Sequence, residues 1–158
     1  SPLYRVPVMK HRSATHDSMT FLTHTVERQT EGKDEIVDLT ADLQSLVKES
    51  GIEVGQLTAM VVGSTAALTT VEYEPGLVHH DIAAALERIA PRASTYEHEK
   101  MWHDDNGHSH VRASLIGPSL ALPIVGGVLP LGTWQQVVLV DLDTRPRDRR
   151  VVVNLVGE

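Results

Sequence analysis

The chain has 158 residues, 41% of them hydrophobic and 22% charged, the make-up of one globular domain able to bury a core without disulfides or a structural metal. Fourteen basic residues stand against 21 acidic ones, and the formal net charge of −7 argues against general electrostatic adhesion to nucleic acid or to an anionic membrane. Cysteine is absent, which removes disulfides, a thiol nucleophile and a thiolate zinc site. No apolar run approaches the roughly 20 residues of a membrane span, so a cytoplasmic protein is expected.

Residues 1–17 carry two prolines and little periodicity and read as a leader, mobile or strand-swapped, ahead of a single domain over 18–158. Ser18 to Arg28 and Asp34 to Leu39 read as a strand pair joined at Glu31-Gly32-Lys33. Thr40 is placed to cap a helix that carries Leu43, Leu46 and Val47 on one face and stops at Gly51. Gln56–Val62 and Ala66–Val71 are rich in Val and Thr and read as strands, after which Glu74-Pro75-Gly76 breaks the chain. His80–Ala90 has an apolar stripe of Ile82, Leu86 and Ile89 and reads as a second helix, ended by Pro91. A polar loop is expected from Arg92 to Gly107, then strands at 108–116, 119–125, 132–141 and 149–157. Short connections favour antiparallel pairing, so the fold class expected is α+β, a mainly antiparallel sheet with two helices on one face.

Polar chemistry concentrates between Tyr96 and Arg112, which holds His98, His103, His108 and His110, with His79 and His80 upstream. On a strand over 108–116, His108, His110, Arg112 and Ser114 share one face, opposite Val111, Ala113 and Leu115. Two imidazoles so placed can ligate one ion, Zn²⁺ by preference, and a guanidinium beside them suits a phosphate or carboxylate. Asp104, Asp105 and Asn106 stand ready to orient the imidazoles or add oxygen ligands. A solvated face of hydrogen-bonded His and Asp is the plainer alternative.

Gly63-Ser64-Thr65 joins two strands, and its hydroxyls and backbone N–H groups suit a phosphate, or simply a turn. Glu72 and Glu74, two apart, suit a metal or a general base as well as a solvated loop. Trp134 suits core or interface packing, while Gln135 points the other way, towards a ligand. Arg145, Arg147, Arg149 and Arg150 read as a solvated turn or as an anion contact across a subunit boundary.

Several ordered motifs agree with one family. Gly63-Ser64-Thr65-Ala66-Ala67, Glu72-Tyr73-Glu74-Pro75-Gly76, Asp105-Asn106-Gly107-His108-Ser109-His110, Gly117-Pro118-Ser119 and Gly132-Thr133-Trp134-Gln135 resemble the YjbQ-like family, over about residues 18–158. That family is small, widespread and largely uncharacterised, and is often labelled secondary thiamine-phosphate synthase. The resemblance implies a partly barrel-like antiparallel sheet, a homotrimer and a polar pocket near a subunit interface. Its polar positions fall on Glu72, His98, Asn106, His108, His110, Thr133, Trp134 and Gln135. Many relatives have His-Thr-Thr where this chain has Gly63-Ser64-Thr65, so a role of that histidine does not carry over.

Three functions follow as expectations. One is a thiamine-phosphate synthase-type enzyme acting on phosphorylated small molecules, with His108, His110 and Glu72 catalytic and Ser64, Thr65, Arg112, Asn106 and Gln135 meeting substrate anions; Mg²⁺ is its expected metal. Another is a zinc-dependent hydrolase of a small acidic metabolite, with the metal on His108, His110 and His98. The last is a non-catalytic trimer that binds a metabolite or a metal.

Overall fold

Strands form where Val, Leu, Ile and Thr alternate with polar residues, since a pleated chain sends successive side chains to opposite faces. The structure, a computed structural model, describes residues 19–158; the leader expected over 1–17 lies outside the described residues. In chain order the elements are β1 (Thr20–Thr30), β2 (Glu35–Asp38), α1 (Thr40–Ser50), β3 (Val54–Val61), β4 (Ala66–Val71), a π turn (Leu77–Asp81) running into α2 (Ile82–Ile89), α3 (Glu97–Trp102), α4 (Gly107–Ile116), β5 (Ser119–Val125), β6 (Gln136–Asp141) and β7 (Arg147–Gly157).

All the strand pairings are antiparallel. One sheet runs β1-β7-β3-β5 and the other β2-β6-β4. They stack face to face and do not close into a barrel. Leu57, Ala59, Val151, Val153 and Leu155 of the first sheet meet Leu68, Val137 and Leu139 of the second, and α1 adds Leu43 and Val47. The other face of the second sheet, with Ile36, Ala67, Val138 and Val140, packs against Val78, Leu86 and Ala113 of the helical layer. The α+β class and the antiparallel pairing agree with the sequence.

The helices differ from expectation. Glu74 starts the helical segment by accepting the Gly76 and Leu77 N–H groups at 2.7 and 2.9 Å, so the second helix begins three residues early. Residues 97–102, expected as loop, form α3. Its capping box joins Tyr96 and Glu99, and the Tyr96 N–H donates to the Glu99 carboxylate at 3.2 Å. The strand expected over 108–116 is a correction: these residues are the helix α4. Its inward set is His108, Ser109, Arg112 and Ala113, the i, i+1, i+4, i+5 spacing of a helix face. Three of those four are polar, so apolar periodicity gave no helical signal. The strand expected from 132 begins at Gln136, because Gly132–Gln135 is a turn closed by Gln135 N–H donating to the Gly132 carbonyl at 3.0 Å.

Candidate functional site

Asn106 stands at the N-cap of α4, and its carbonyl accepts the Ser109 and His110 N–H groups at 3.0 and 3.2 Å. The next residue has to be glycine. A Cβ on Gly107 would sit 2.6 Å from Tyr96 Cβ and closer still to the Glu99 carboxylate. That contact locks α3 against α4 and sets the rotation of α4.

Rotation decides where the two histidines go. Residues i and i+2 of a helix face different ways, so the strand-based reason for pairing His108 with His110 on one ion does not hold. His108 turns inward and is 4% exposed. Burial, then the Arg112 and Arg92 charges, hold its pKa below the ordinary 6.5, against the pull of Asp34 and Glu87. His110 turns outward onto a hollow of about 570 Å³ lined by Gly63, Ser64, Ala66, His110, Ala113, Ser114 and Pro118. Its ring lies 4.5 Å from that of His98, whose Nδ1 is 3.0 Å from Asp104 but too poorly aligned for a hydrogen bond.

Arg112 is fully buried. Its Nη1 forks onto both oxygens of Asp34 at 3.0 and 2.9 Å, Nη2 donates to Glu87 at 2.6 Å, and Nε donates to the Ala90 carbonyl at 2.9 Å. The same contact holds the Glu87 carboxyl below its ordinary value. These donors are spent on the protein itself, and Arg112 faces Asp34 and Glu87 rather than Glu72.

Thr65 is also inward. Its hydroxyl accepts from Arg149 Nη2 at 2.7 Å and donates to Asp143 at 2.9 Å, inside a cluster of buried Asp141, Asp143 and Arg149 that the partly exposed Arg147 closes. Thr30 bonds Asp141 in the same cluster. Burial raises the Asp143 carboxyl, but the Thr144 N–H, the Thr65 hydroxyl and Arg147 outweigh it, and the net shift is down. Asn106 is buried between Asp143 and Asp104. Sequence reading did not single out Asp34, Glu87, Asp141 or Asp143. The available signal was register: on β7 the inward positions that hold Val151, Val153 and Leu155 also hold Arg149, which requires inward carboxylates nearby.

Glu72 lies elsewhere, in a separate hollow with Asp38, Tyr73, Glu74, Thr133 and Trp134. Gln135 accepts the Gly132 N–H at 3.1 Å and donates to Thr70 at 3.2 Å. The structure therefore brings together His98, His110 and Ser64 near one hollow, turns His108, Arg112, Thr65 and Asn106 inward, and sets Glu72 and Gln135 apart.

A family model for UPF0047 protein YjbQ-like matches residues 24–158. The chain belongs to the UPF0047, YjbQ-like family. A UPF0047 protein of Methanothermobacter thermautotrophicus is 34% identical over 140 residues, covering 89% of this chain and 95% of the relative. The UPF0047 protein YjbQ of Escherichia coli O157:H7 is 32% identical across 79% of this chain and 86% of its own length. Among solved structures, a YbjQ-like protein of unknown function from Sulfolobus solfataricus superposes with a TM-score of 0.84 at 32% identity, over 89% of this chain and 100% of its own. An uncharacterised YjbQ/UPF0047 protein from Clostridium acetobutylicum reaches 0.75 at 32% identity, over 84% and 98%. The UPF0047 fold thus accounts for both sheets and the helical layer of this chain. No helix among the described residues is long and apolar enough to cross a membrane.

Proposed function

We propose that this UPF0047 protein takes up a phosphorylated or acidic small molecule in the hollow between the Gly63–Ser64 turn and His110, and that His110, backed by His98 and Asp104, moves a proton there. The observation that carries the reading is charge. No carboxylate lines this hollow, although the chain is acidic overall, whereas four other surface hollows each contain Asp or Glu. An anion meets an imidazole, two serine side chains and small residues without carboxylate repulsion. Thiamine-phosphate synthase-type condensation is the specific reaction suggested by the family resemblance. In that reaction the hollow holds a phosphate and His110 transfers a proton. The test is calorimetry with inorganic phosphate, a thiazole phosphate and a pyrimidine diphosphate, on wild type and His110→Ala. Saturable binding weakened at least tenfold by the substitution supports the site; equal affinity in the two proteins removes it.

A zinc-dependent hydrolase is the second reading, favoured by the ligand atoms of His98, Glu99 and Asp104 lying within 4.8 Å of one another. The buried Nδ1 of His98 has no hydrogen-bond partner, which suits a metal. Glu99 fits less well, since Gly107 and Tyr96 N–H groups already occupy its carboxylate. Elemental analysis of protein purified without added metal, on wild type and His98→Ala, decides this reading. We carry the homotrimer as part of the same proposal. The outer face of the four-stranded sheet supports it, with Phe21 70% and Met60 46% exposed, and light scattering tests it.

A further inference from the structure

We propose that Arg149 is the anion anchor of this hollow, reached through the space that a side chain at position 63 would fill. The inference rests on the reading above and adds the residue that would select a phosphate group.

Alternation along β7 places Arg149 inward, and it is 6% exposed. A buried guanidinium needs partners for its donors. Nε and Nη2 have them: Asp141 accepts at 2.7 and 3.0 Å, and Thr65 accepts at 2.7 Å. Nη1 donates to no described residue. It is not sealed in the interior either, because the one fully buried side-chain polar atom without a partner among the described residues is His98 Nδ1. One edge of the guanidinium therefore remains free and reachable.

Gly63 supplies the opening. Its φ of +120° is a conformation that side chains rarely adopt, and a Cβ built there would lie 2.8 Å from Arg149 Nη1. Gly63 and Ser64 line the hollow and Arg149 itself does not; Nη1 lies behind Gly63, on the side where a Cβ would project. The backbone N–H groups of Gly63 and Ser64 donate to no described carbonyl, and the Ser64 hydroxyl is also unpaired. Asp141 and Asp143 are engaged by Arg149 and Arg147, so neither presents a bare negative charge to an entering anion. A guanidinium edge, two N–H groups and a hydroxyl are donors suited to the oxygens of a phosphate monoester. Any side chain at position 63 would cover Nη1.

The test uses the whole wild-type chain, labelled with ¹⁵N and titrated with inorganic phosphate at constant ionic strength. Arginine guanidinium resonances are read, with Arg112 as internal control because Asp34, Glu87 and Ala90 occupy its nitrogens. A saturable shift at Arg149 with Arg112 unmoved supports the anchor. Gly63→Ala should then weaken phosphate at least tenfold. Saturable phosphate binding that leaves Arg149 unmoved overturns the anchor and leaves the hollow standing as a ligand site. Absence of saturable binding overturns both. Acetate binding as tightly as phosphate overturns the phosphate assignment in favour of a carboxylate ligand.

Discussion

Arg112 shows how a single residue changes meaning once its partners are known. In the sequence it is a basic group beside two histidines, suited to an anion. In the fold it ties the turn before β2, through Asp34, to α2, through Glu87, and to the end of that helix through the Ala90 carbonyl. Removing one member of a buried ion pair leaves the other charged and unsolvated, at a cost of about 3–5 kcal/mol. Arg112→Ala should lower the unfolding free energy measured by urea titration by that amount, and Arg112→Lys should also destabilise while leaving phosphate affinity unchanged. A Lys variant of wild-type stability with lost phosphate binding would restore the substrate role. His108 predicts a pH dependence. Its folded pKa lies below the ordinary 6.5, so the unfolded chain binds the extra proton and stability is lost as pH falls below about 6.5. The lowered carboxyls of Glu87 and Asp143 act in the same direction further down, below their ordinary values of 4.5 and 3.8. Unfolding of wild type and His108→Gln between pH 7.5 and 5.5 should show the upper loss in wild type alone. Parallel curves would remove His108 as its source.

At the scale of elements, α3 and α4 show where the sequence was legible and where it was not. The strands β3 and β4 declare themselves through their Val and Thr content, β5 and β7 through their short Leu, Ile and Val runs, and α1 through its Leu and Val spacing. The helix α4 hides, because its buried stripe contains His108, Ser109 and Arg112, and Arg112 enters the interior only because Asp34 and Glu87, elsewhere in the chain, neutralise it. Of the candidate site, Ser64 and the cluster of histidines were visible; the separation of His108 from His110 followed from helix rotation alone. Gly107 sets that rotation. Gly107→Ala forces a methyl against Tyr96 and Glu99, and overpacking of this kind costs about 1–3 kcal/mol. Hydrogen exchange should show faster opening of Glu97–Trp102, with the strands unchanged; an unaltered α3 would show that the helix pair is not locked there.

Across the whole molecule, β6 is the shared wall between two apolar layers. Val137 and Leu139 face the four-stranded sheet, while Val138 and Val140 face the helices. Leu139 is fully buried, so Leu139→Ala should cost about 2–5 kcal/mol by leaving a cavity. Because β6 joins both layers, the loss should appear as one cooperative shift in the thermal midpoint by fluorescence and by circular dichroism. Two separated transitions would mean that the layers unfold independently.

The sequence by itself determined the α+β class, the strands that alternate cleanly, the acidic surface and the family, because these depend on local periodicity, composition and ordered motifs. Only the tertiary structure decided which charges lie inside and which histidine faces the hollow. Arg112, Arg149, Asp141 and Asp143 read as surface residues in one dimension. Arg112 is buried because Asp34 and Glu87, distant in the chain, pair with it where solvent is excluded, and no local pattern encodes partners that many residues away. Asp141 and Asp143 are near Arg149 and Arg147 in the chain, but only the packed fold excludes solvent from them.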